Sequence, residues 1–225
     1  MHTGTGRIVE TIFEDGQHLV RIHCPQNLIP FPGQYLLAGT ALNSLLPVPL
    51  FYTDSATEGF ISPLSELTAW SPGQEIALRG PLGRGFDLPN SRRKVALIAF
   101  DDAPVRLRGL IRPSLKQAAA VVLVSDSASD NLPDEVEVQP LSTLADVLTW
   151  ADYVALDVRR ENVNQFTEKV EMLNQIPAVR EAQVLVRTQM PCGGVAECGI
   201  CAVSLKSGWG MACKEGPVFE WGELA

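Results

Sequence analysis

The chain has few basic residues, no long apolar runs and, over most of its length, almost no cysteine. Its 18 lysines and arginines are outnumbered by 26 aspartates and glutamates, giving a net charge of -8. A nucleic-acid partner is therefore not expected, because phosphate binding needs a basic face. No apolar stretch approaches the roughly 20 residues of a membrane span, and no secretion signal is recognised. These absences predict a cytoplasmic protein whose partners are proteins or small molecules.

Cysteine is concentrated in one segment. Four of the five cysteines fall between positions 192 and 213. A chain of 225 residues buries enough surface to fold without disulfides, and in a reducing compartment clustered cysteines are more often metal ligands or redox groups. The remaining one, Cys24, alternates with Val20 and Ile22, which predicts a buried apolar thiol on one face of a strand.

The apolar pattern divides the chain into two halves. Residues 6 to about 88 contain short β-type runs separated by proline and glycine, typical of a small antiparallel barrel or sandwich. From Lys94 onward, β-branched runs alternate with helical segments, which indicates a parallel sheet covered on both faces. We predict a β-barrel over 1–90, an α/β domain over 91–188 and a cysteine-rich segment over 189–225, with the domain boundary in PNSRRK at 89–94.

The α/β half can be divided further. Apolar runs predict its strands at 95–100, 119–125, 153–158 and 182–187, with a shorter one in EVEVQPL. Helical segments are predicted between them, at about 103–119, 142–150 and 161–174.

The spacing of the clustered cysteines points to a metal centre. Cys192, Cys198, Cys201 and Cys213 follow the pattern C-x5-C-x2-C-x11-C, with three glycines between the first and third. A [2Fe-2S] cluster takes four thiolates and benefits from backbone N–H groups close to its sulfurs, an approach that glycine permits. The first interval is one residue longer than the plant-type spacing. A structural zinc site or free thiols are the alternatives, although only Cys198 and Cys201 form a zinc-type C-x2-C pair.

These features together resemble a known family. PGQY and GPLGRGFDL in the barrel, a parallel α/β domain, and MPCGG, CGIC and CKEGPVF near the C-terminus resemble the electron-transfer subunit of type B dihydroorotate dehydrogenase, a ferredoxin-reductase-like family of pyrimidine biosynthesis. The resemblance spans the whole chain. It implies FAD in the barrel, NADH at the α/β domain, and a [2Fe-2S] cluster that passes electrons to an FMN-bearing catalytic partner.

The flavin motif departs from that family. Its Arg-Pro-x-Ser/Thr strand, whose arginine pairs with the FAD pyrophosphate, corresponds here to VPLF at 48–51 and has no arginine. A segment starting at Ser62 replaces the family's Gly-Thr, and Ser62 with Pro63 predicts a capped helix. Tyr52, Arg79 and Arg84 are the substitute FAD candidates. The sequence leaves FAD binding open.

The nicotinamide motif departs further. The family's glycine-rich turn after the first α/β strand is replaced by AFDDAPVRLRGL, which places Asp101 and Asp102 in the turn. Two carboxylates repel a pyrophosphate and satisfy a helix N-terminus themselves. We therefore predict a self-capped helix, and we do not expect NADH oxidation by this chain.

Two classes of function follow. The first is an electron-transfer subunit that works with a catalytic flavoprotein and is not catalytic alone. The second is a non-catalytic interaction or regulatory protein that uses the four-cysteine loop, filled by a cluster or by zinc, for docking or sensing. For the first class we expect the catalytic flavoprotein to dock near 192–221, with Phe219 and Trp221 in the interface. Trp209 and Trp221 are candidates for screening the metal from water.

Overall fold

The N-terminal half of the computed structural model is an antiparallel β-sheet. The structure describes residues 1–41, 46–64, 68–127, 131–172 and 181–225. Seven strands pair in the order β4-β3-β7-β1-β2-β6-β5: β1 His2–Glu14, β2 Gln17–His23, β3 Tyr35–Gly39, β4 Val48–Phe51, β5 Asp54–Ala56, β6 Gly59–Pro63 and β7 Glu75–Leu82. Strand β4 also contacts β6, near the opposite end of this order. The predicted antiparallel β-structure is confirmed.

Alternating apolar residues build the core of this half. Val20 and Ile22 of β2 are fully buried with Ile8, Leu36 and Phe60, and Cys24 belongs to the same core. The turn between β1 and β2 is Asp15–Gly16, and both residues have left-handed backbones, with φ of 52° and 69°. Asp-Gly is a preferred pair for such a two-residue hairpin turn, which fixes the strand register.

The second half is a mostly parallel sheet with helices. Its strand order is β10-β9-β8-β11-β12-β15, with only β15 antiparallel. The bounds are β8 Lys94–Ala99, β9 Ala120–Val124, β10 Val136–Gln139, β11 Tyr153–Arg159 and β12 Glu181–Arg187, with helices α1 Ile111–Lys116, α2 Leu144–Trp150 and α3 Val163–Met172. The predicted strands are confirmed. The predicted end of the third helix, at 173–174, lies outside the described residues.

Most of the segment predicted as one helix, at 103–119, is not α-helical. Two single 3-10 turns precede α1, which has only 6 residues. Gly109 lies in the second turn, where a Cβ would lie 2.6 Å from the Tyr52 ring. The segment is therefore bent to pack against the barrel, and a glycine permits the approach.

The predicted helix start at Ser62 is wrong. Ser62 and Pro63 belong to β6, and the Ser62 hydroxyl is buried and donates to the Pro63 carbonyl. Residues 65–67 of that predicted helix lie outside the described residues. The strand forms because Leu19 to His23 of β2 pair with β6 over five residues, and this pairing outweighs a local capping pattern.

The cysteine-rich segment contains strands that the sequence analysis did not predict. Strands β13 Ala202–Leu205 and β14 Gly208–Met211 form a hairpin, and β15 Val218–Glu220 adds to the edge of the parallel sheet beside β12. One apolar core includes residues from the barrel, the parallel sheet and this segment, among them Tyr35, Val184, Cys201 and Cys213. No helix within the described ranges is long and apolar enough to cross a membrane.

Candidate metal centre

The four cysteines lie on the loops around the β13–β14 hairpin. Cys192 and Cys198 precede the hairpin, Cys201 adjoins its first strand, and Cys213 follows its second strand. Cys201 and Cys213 are buried, Cys192 is half-buried and Cys198 is exposed, and all four are free thiols. The Ala212 amide donates to the Cys201 carbonyl at 3.1 Å, which closes the base of the loop.

The thiols are arranged in two pairs. Cys192 lies close enough to Cys198, and Cys201 close enough to Cys213, for the thiols of each pair to influence each other's protonation. Cys192 and Cys213 also interact electrostatically, so the two pairs are neighbours. In the part of the chain that the structure describes, no group of three or more His, Cys, Asp or Glu side chains is placed to hold a single metal ion.

Backbone amides surround the sulfur of Cys192. The amides of Gly194, Val195 and Ala196 hydrogen bond to it, and that of Ala196 also interacts with Cys213. Left-handed backbones make this possible, with φ of 68° at Gly193, 79° at Gly194 and 62° at Ala196. Successive amides turned to one side form a concave anion site.

Burial and these interactions give the thiols of Cys192 and Cys213 different pKa values. Burial alone raises the pKa of Cys192, but the hydrogen bonds from Cys198 and the three amides outweigh it and lower the pKa to about 6. For Cys213, burial and the hydrogen bond with Cys201 raise the pKa to about 12. The loop thus favours a thiolate at its first cysteine. Cys24 is buried elsewhere, and burial raises its pKa to about 11, in agreement with its predicted apolar role.

Two barrel residues bind the cysteine loop. Tyr35 of β3 is fully buried and donates its hydroxyl to the Cys213 carbonyl at 2.7 Å. Arg79 of β7 donates to the Gly193 carbonyl. Sequence reasoning missed Tyr35 and considered Arg79 only for FAD.

The other flavin candidates also have partners within the chain. Arg84 pairs with Glu220 of β15. Tyr52 stacks on Phe60, with ring centroids 6.5 Å apart. Burial, then the charge of Asp54, raises the pKa of Tyr52. Phe51, at the end of the strand that lacks the family arginine, packs between Tyr35 and Arg106, with 5.7 Å between the ring centroids and 5.9 Å from the guanidinium to the Phe51 ring.

Asp101 and Asp102 do not cap a helix. The 3-10 turn that follows them begins after Ala103 without a side-chain cap. Asp102 instead binds Arg159 through both oxygens, at 2.8 and 3.1 Å, and pairs with Arg187. Asp101 pairs with Arg187 and accepts a hydrogen bond from the Arg159 amide. The predicted self-capped helix is wrong, since distant arginines satisfy both carboxylates.

This ion cluster lies at a position that binds ligands in many α/β proteins. Its residues come from the carboxyl ends of β8, β11 and β12, and β8 and β11 are neighbours from which the chain order runs in opposite directions. Open α/β sheets bind ligands in the crevice at such a switch point. Asp157 and Arg106 complete the cluster, with Arg187 Nε 2.6 Å from Asp157 and Arg106 3.8 Å from it. A single charged residue in the apolar run YVALDV was the sequence signal for Asp157.

The aromatic residues near the loop are placed differently from the prediction. Trp209 is 70% exposed and does not shield the cysteines. Trp221 packs edge-on against Phe166 of α3, with ring centroids 5.2 Å apart. Phe219 is 2% exposed and lies in β15 within the core. Phe219 is thus a core residue and cannot form part of an exposed interface.

The barrel, the switch-point sheet and their order along the chain define a ferredoxin-reductase-like fold. The structure of an NADH-dependent reduced ferredoxin–NADP oxidoreductase, described for flavin-based electron bifurcation, superposes with a TM-score of 0.76 at 18% identity, covering 100% of this chain and 91% of that chain. The ferredoxin reductase of carbazole 1,9a-dioxygenase gives 0.59 at 14% identity, over 80% of this chain and 67% of that chain. No family model matches the chain.

Curated relatives give a more specific similarity. The chain is 27% identical over 212 residues to the electron transfer subunit of dihydroorotate dehydrogenase B (NAD(+)) from Clostridium acetobutylicum, covering 86% of this chain and 85% of the relative. The subunit of the same name from Clostridium perfringens is 27% identical over 178 residues, covering 69% and 68%. The resemblance predicted from the sequence is confirmed.

Proposed function

We propose that this chain is an electron-transfer subunit in which Cys192, Cys198, Cys201 and Cys213 hold a [2Fe-2S] cluster. The pairing of the four thiols, with three amides directed at Cys192, carries the proposal. A two-iron cluster with four cysteine ligands needs two thiolates at each iron, and two adjacent thiol pairs supply them. The similarity to curated electron transfer subunits supports the same function. The bound cluster supplies one-electron transfer.

The chain's own residues define what this site does. The amides of Gly194, Val195 and Ala196 offset negative charge at the sulfurs, and hydrogen bonds of this kind tune the potential of a cluster. Burial of Cys201 and Cys213 excludes water from one side. Exposure of Cys198 leaves the other side accessible to a redox partner.

The flavin and nicotinamide sites of the fold do not fit their cofactors in this chain. Arg84 is paired with Glu220, Arg79 is directed to the Gly193 carbonyl of the cysteine loop, and the arginine with which the family anchors the pyrophosphate is absent. At the switch point, Asp101 and Asp102 present carboxylates where the phosphates of a dinucleotide need amides or cations. We therefore propose that electrons enter and leave through protein partners, and we assign no step to FAD or NAD.

A surface beside the cysteine loop suits such a partner, which we propose is a catalytic flavoprotein of the dihydroorotate dehydrogenase type. Val195, Ile200 and Trp209 are 51%, 45% and 70% exposed. Trp209 also lines a cleft of about 540 Å³ with Arg160, Gly199 and Ala202. Exposed apolar groups next to an exposed cysteine ligand, with an arginine lining the same cleft, have the composition of a protein interface.

Metal analysis tests the first part of the proposal. Protein purified anaerobically from iron-supplemented cells is expected to contain two irons and two acid-labile sulfides per chain, with an EPR signal on reduction. Substitution of Cys201 by serine abolishes the signal, whereas Cys24→Ser retains it because Cys24 lies in the barrel core. Stoichiometric zinc in place of iron contradicts the proposal and favours the docking or sensing alternative.

A binding experiment tests the interface. Trp209→Ala is expected to weaken association with the catalytic flavoprotein by at least tenfold, measured by calorimetry, since exposed aromatic anchors dominate interfaces. Phe13→Ala is the matched control, because Phe13 is 68% exposed on the β1–β2 hairpin of the barrel. Equal affinities for Trp209→Ala and the unmodified chain place the interface elsewhere.

A further inference from the structure

Arg79 connects the barrel to the beginning of the cysteine loop. It lies in β7, and its guanidinium donates to the carbonyl of Gly193, the residue after Cys192. A Cβ at Gly193 would lie 2.8 Å from the Arg79 Nη2 atom. The contact is therefore close, and it depends on a glycine whose φ of 68° also suits the left-handed turn.

Tyr35 connects the same part of the barrel to the end of the loop. Strands β3 and β7 are paired neighbours, and the Tyr35 hydroxyl donates to the Cys213 carbonyl at 2.7 Å. A Cβ at Gly194 would lie 3.1 Å from that hydroxyl oxygen. Arg79 and Tyr35 thus hold the two ends of the loop from adjacent strands, and Tyr35 interacts electrostatically with both Arg79 and the cysteines.

Unlike the charges of Arg84 and Arg187, the charge of Arg79 is not neutralised by a carboxylate within the described ranges. Arg84 and Arg187 pair with carboxylates, whereas within the described ranges Arg79 forms no ion pair and bonds only to a carbonyl. A thiolate-bound iron–sulfur cluster is anionic and gains one more negative charge on reduction. A nearby uncompensated cation stabilises that reduced state.

We propose that Arg79 is a positioning residue for the cysteine loop, which it holds through the Gly193 carbonyl and whose bound group it makes easier to reduce. The first role concerns the protein alone. The second rests on the proposed function. Two separate measurements therefore distinguish them.

Hydrogen exchange tests the positioning role on the full chain, with and without metal. In Arg79→Gln, amides of the peptide covering 190–199 are expected to exchange about tenfold faster, because the loop loses its anchor. Gly193→Ala displaces the same guanidinium and reproduces the change with Arg79 intact. Arg7→Gln is the control, since Arg7 lies in β1 and its guanidinium pairs with the exposed Glu75 of β7. Exchange that is unchanged in both loop variants overturns the positioning role.

A redox titration followed by EPR tests the electrostatic role. At a fixed ambient potential, Arg79→Gln is expected to lower the ratio of reduced to oxidised cluster about tenfold, equivalent to about 59 mV for a one-electron couple. Arg79→Lys keeps the charge and retains most of the original potential. An unchanged potential in an iron-loaded Arg79→Gln protein refutes the electrostatic role and leaves the proposed function standing. Failure of the unmodified chain to bind iron refutes the proposed function, while faster exchange in Arg79→Gln still supports the anchor.

Discussion

Replacing Arg187 by methionine removes the central cation of the switch-point cluster. Arg187 is 12% exposed and contacts Asp101, Asp102 and Asp157, and the Asp157 side chain is 1% exposed. One oxygen of Asp157 already lacks a hydrogen-bond partner in the structure, so the substitution leaves a buried carboxylate with Arg106 alone at 3.8 Å. The substitution therefore leaves the buried charge of Asp157 without a close partner.

The expected cost follows from that geometry. Removing one partner of a buried ion pair costs about 3–5 kcal/mol, which for a chain of this size corresponds to a fall of about 6–20 °C in Tm. Differential scanning calorimetry and urea unfolding measure it. A second substitution, Asp157→Asn in the Arg187→Met background, is expected to recover at least about 1 kcal/mol, since it removes the stranded charge.

Arg84→Met is the matched control. Arg84 and Glu220 are 45% and 38% exposed, and a pair so accessible to water contributes less than about 1 kcal/mol. If Arg187→Met destabilises the protein no more than Arg84→Met does, the cluster is not the buried, mutually neutralising network described above.

Arg187→Met also changes how the free energy of unfolding depends on pH. Burial raises the pKa of Asp102, but Arg187 and Arg159 outweigh it and hold that pKa below its ordinary value. A carboxyl with a lowered folded-state pKa stabilises the protein above its unfolded pKa of about 4, and this stabilisation is lost as pH falls through the folded value. In Arg187→Met, the decline of stability below pH 5 is expected to be shallower, as measured by urea unfolding between pH 3 and 7.

Further predictions concern the barrel contact, the nucleotide crevice and the hairpin turn. Tyr35→Phe removes the donor to the Cys213 carbonyl and is expected to cost about 1–2 kcal/mol by urea unfolding; a loss below 0.5 kcal/mol contradicts the bond's importance. Neither NADH nor NADPH is expected to bleach the reconstituted protein in stopped-flow mixing, and rapid saturable bleaching contradicts the conclusion that the switch point does not fit a dinucleotide. Gly16→Val is expected to lower the free energy of unfolding by about 1–2 kcal/mol through strain at its positive φ. Gln17→Val, outside the turn, is the control and is expected to change it by less than about 0.5 kcal/mol. Thermal melts of both variants measure the difference.

Local patterns predicted the elements that are determined by local chemistry. The apolar runs of β8, β9 and β11 marked buried parallel strands because a strand covered on both faces has no polar alternation. The buried position of Cys24 was predictable from its alternation with Val20 and Ile22. The spacing of the four clustered cysteines predicts a common metal site, and this stays a prediction that metal analysis can test.

Long-range contacts determined what the sequence could not predict. The sequence does not reveal that Asp101 pairs with Arg187, because Arg187 lies 86 positions along the chain. A helix cap is the local alternative that the sequence predicts. Arg79 was assigned to a cofactor because its partner Gly193 is 114 positions away. Strand β15 has only 3 residues, too few for a period to be recognised, and it forms because the edge of β12 is available to pair with it.

The pairing of β15 with β12 has a consequence for solubility. Four consecutive residues of β12, Gln183 to Val186, are buried, and β15 covers the side of that strand that faces away from β11. Without Val218 to Glu220 the protein would display an apolar strand with unpaired amides and carbonyls, a template for joining sheets of different molecules. Val218 to Glu220 thus cover this edge, and a truncation after Cys213 that removes them is expected to promote aggregation even where the cysteines are untouched.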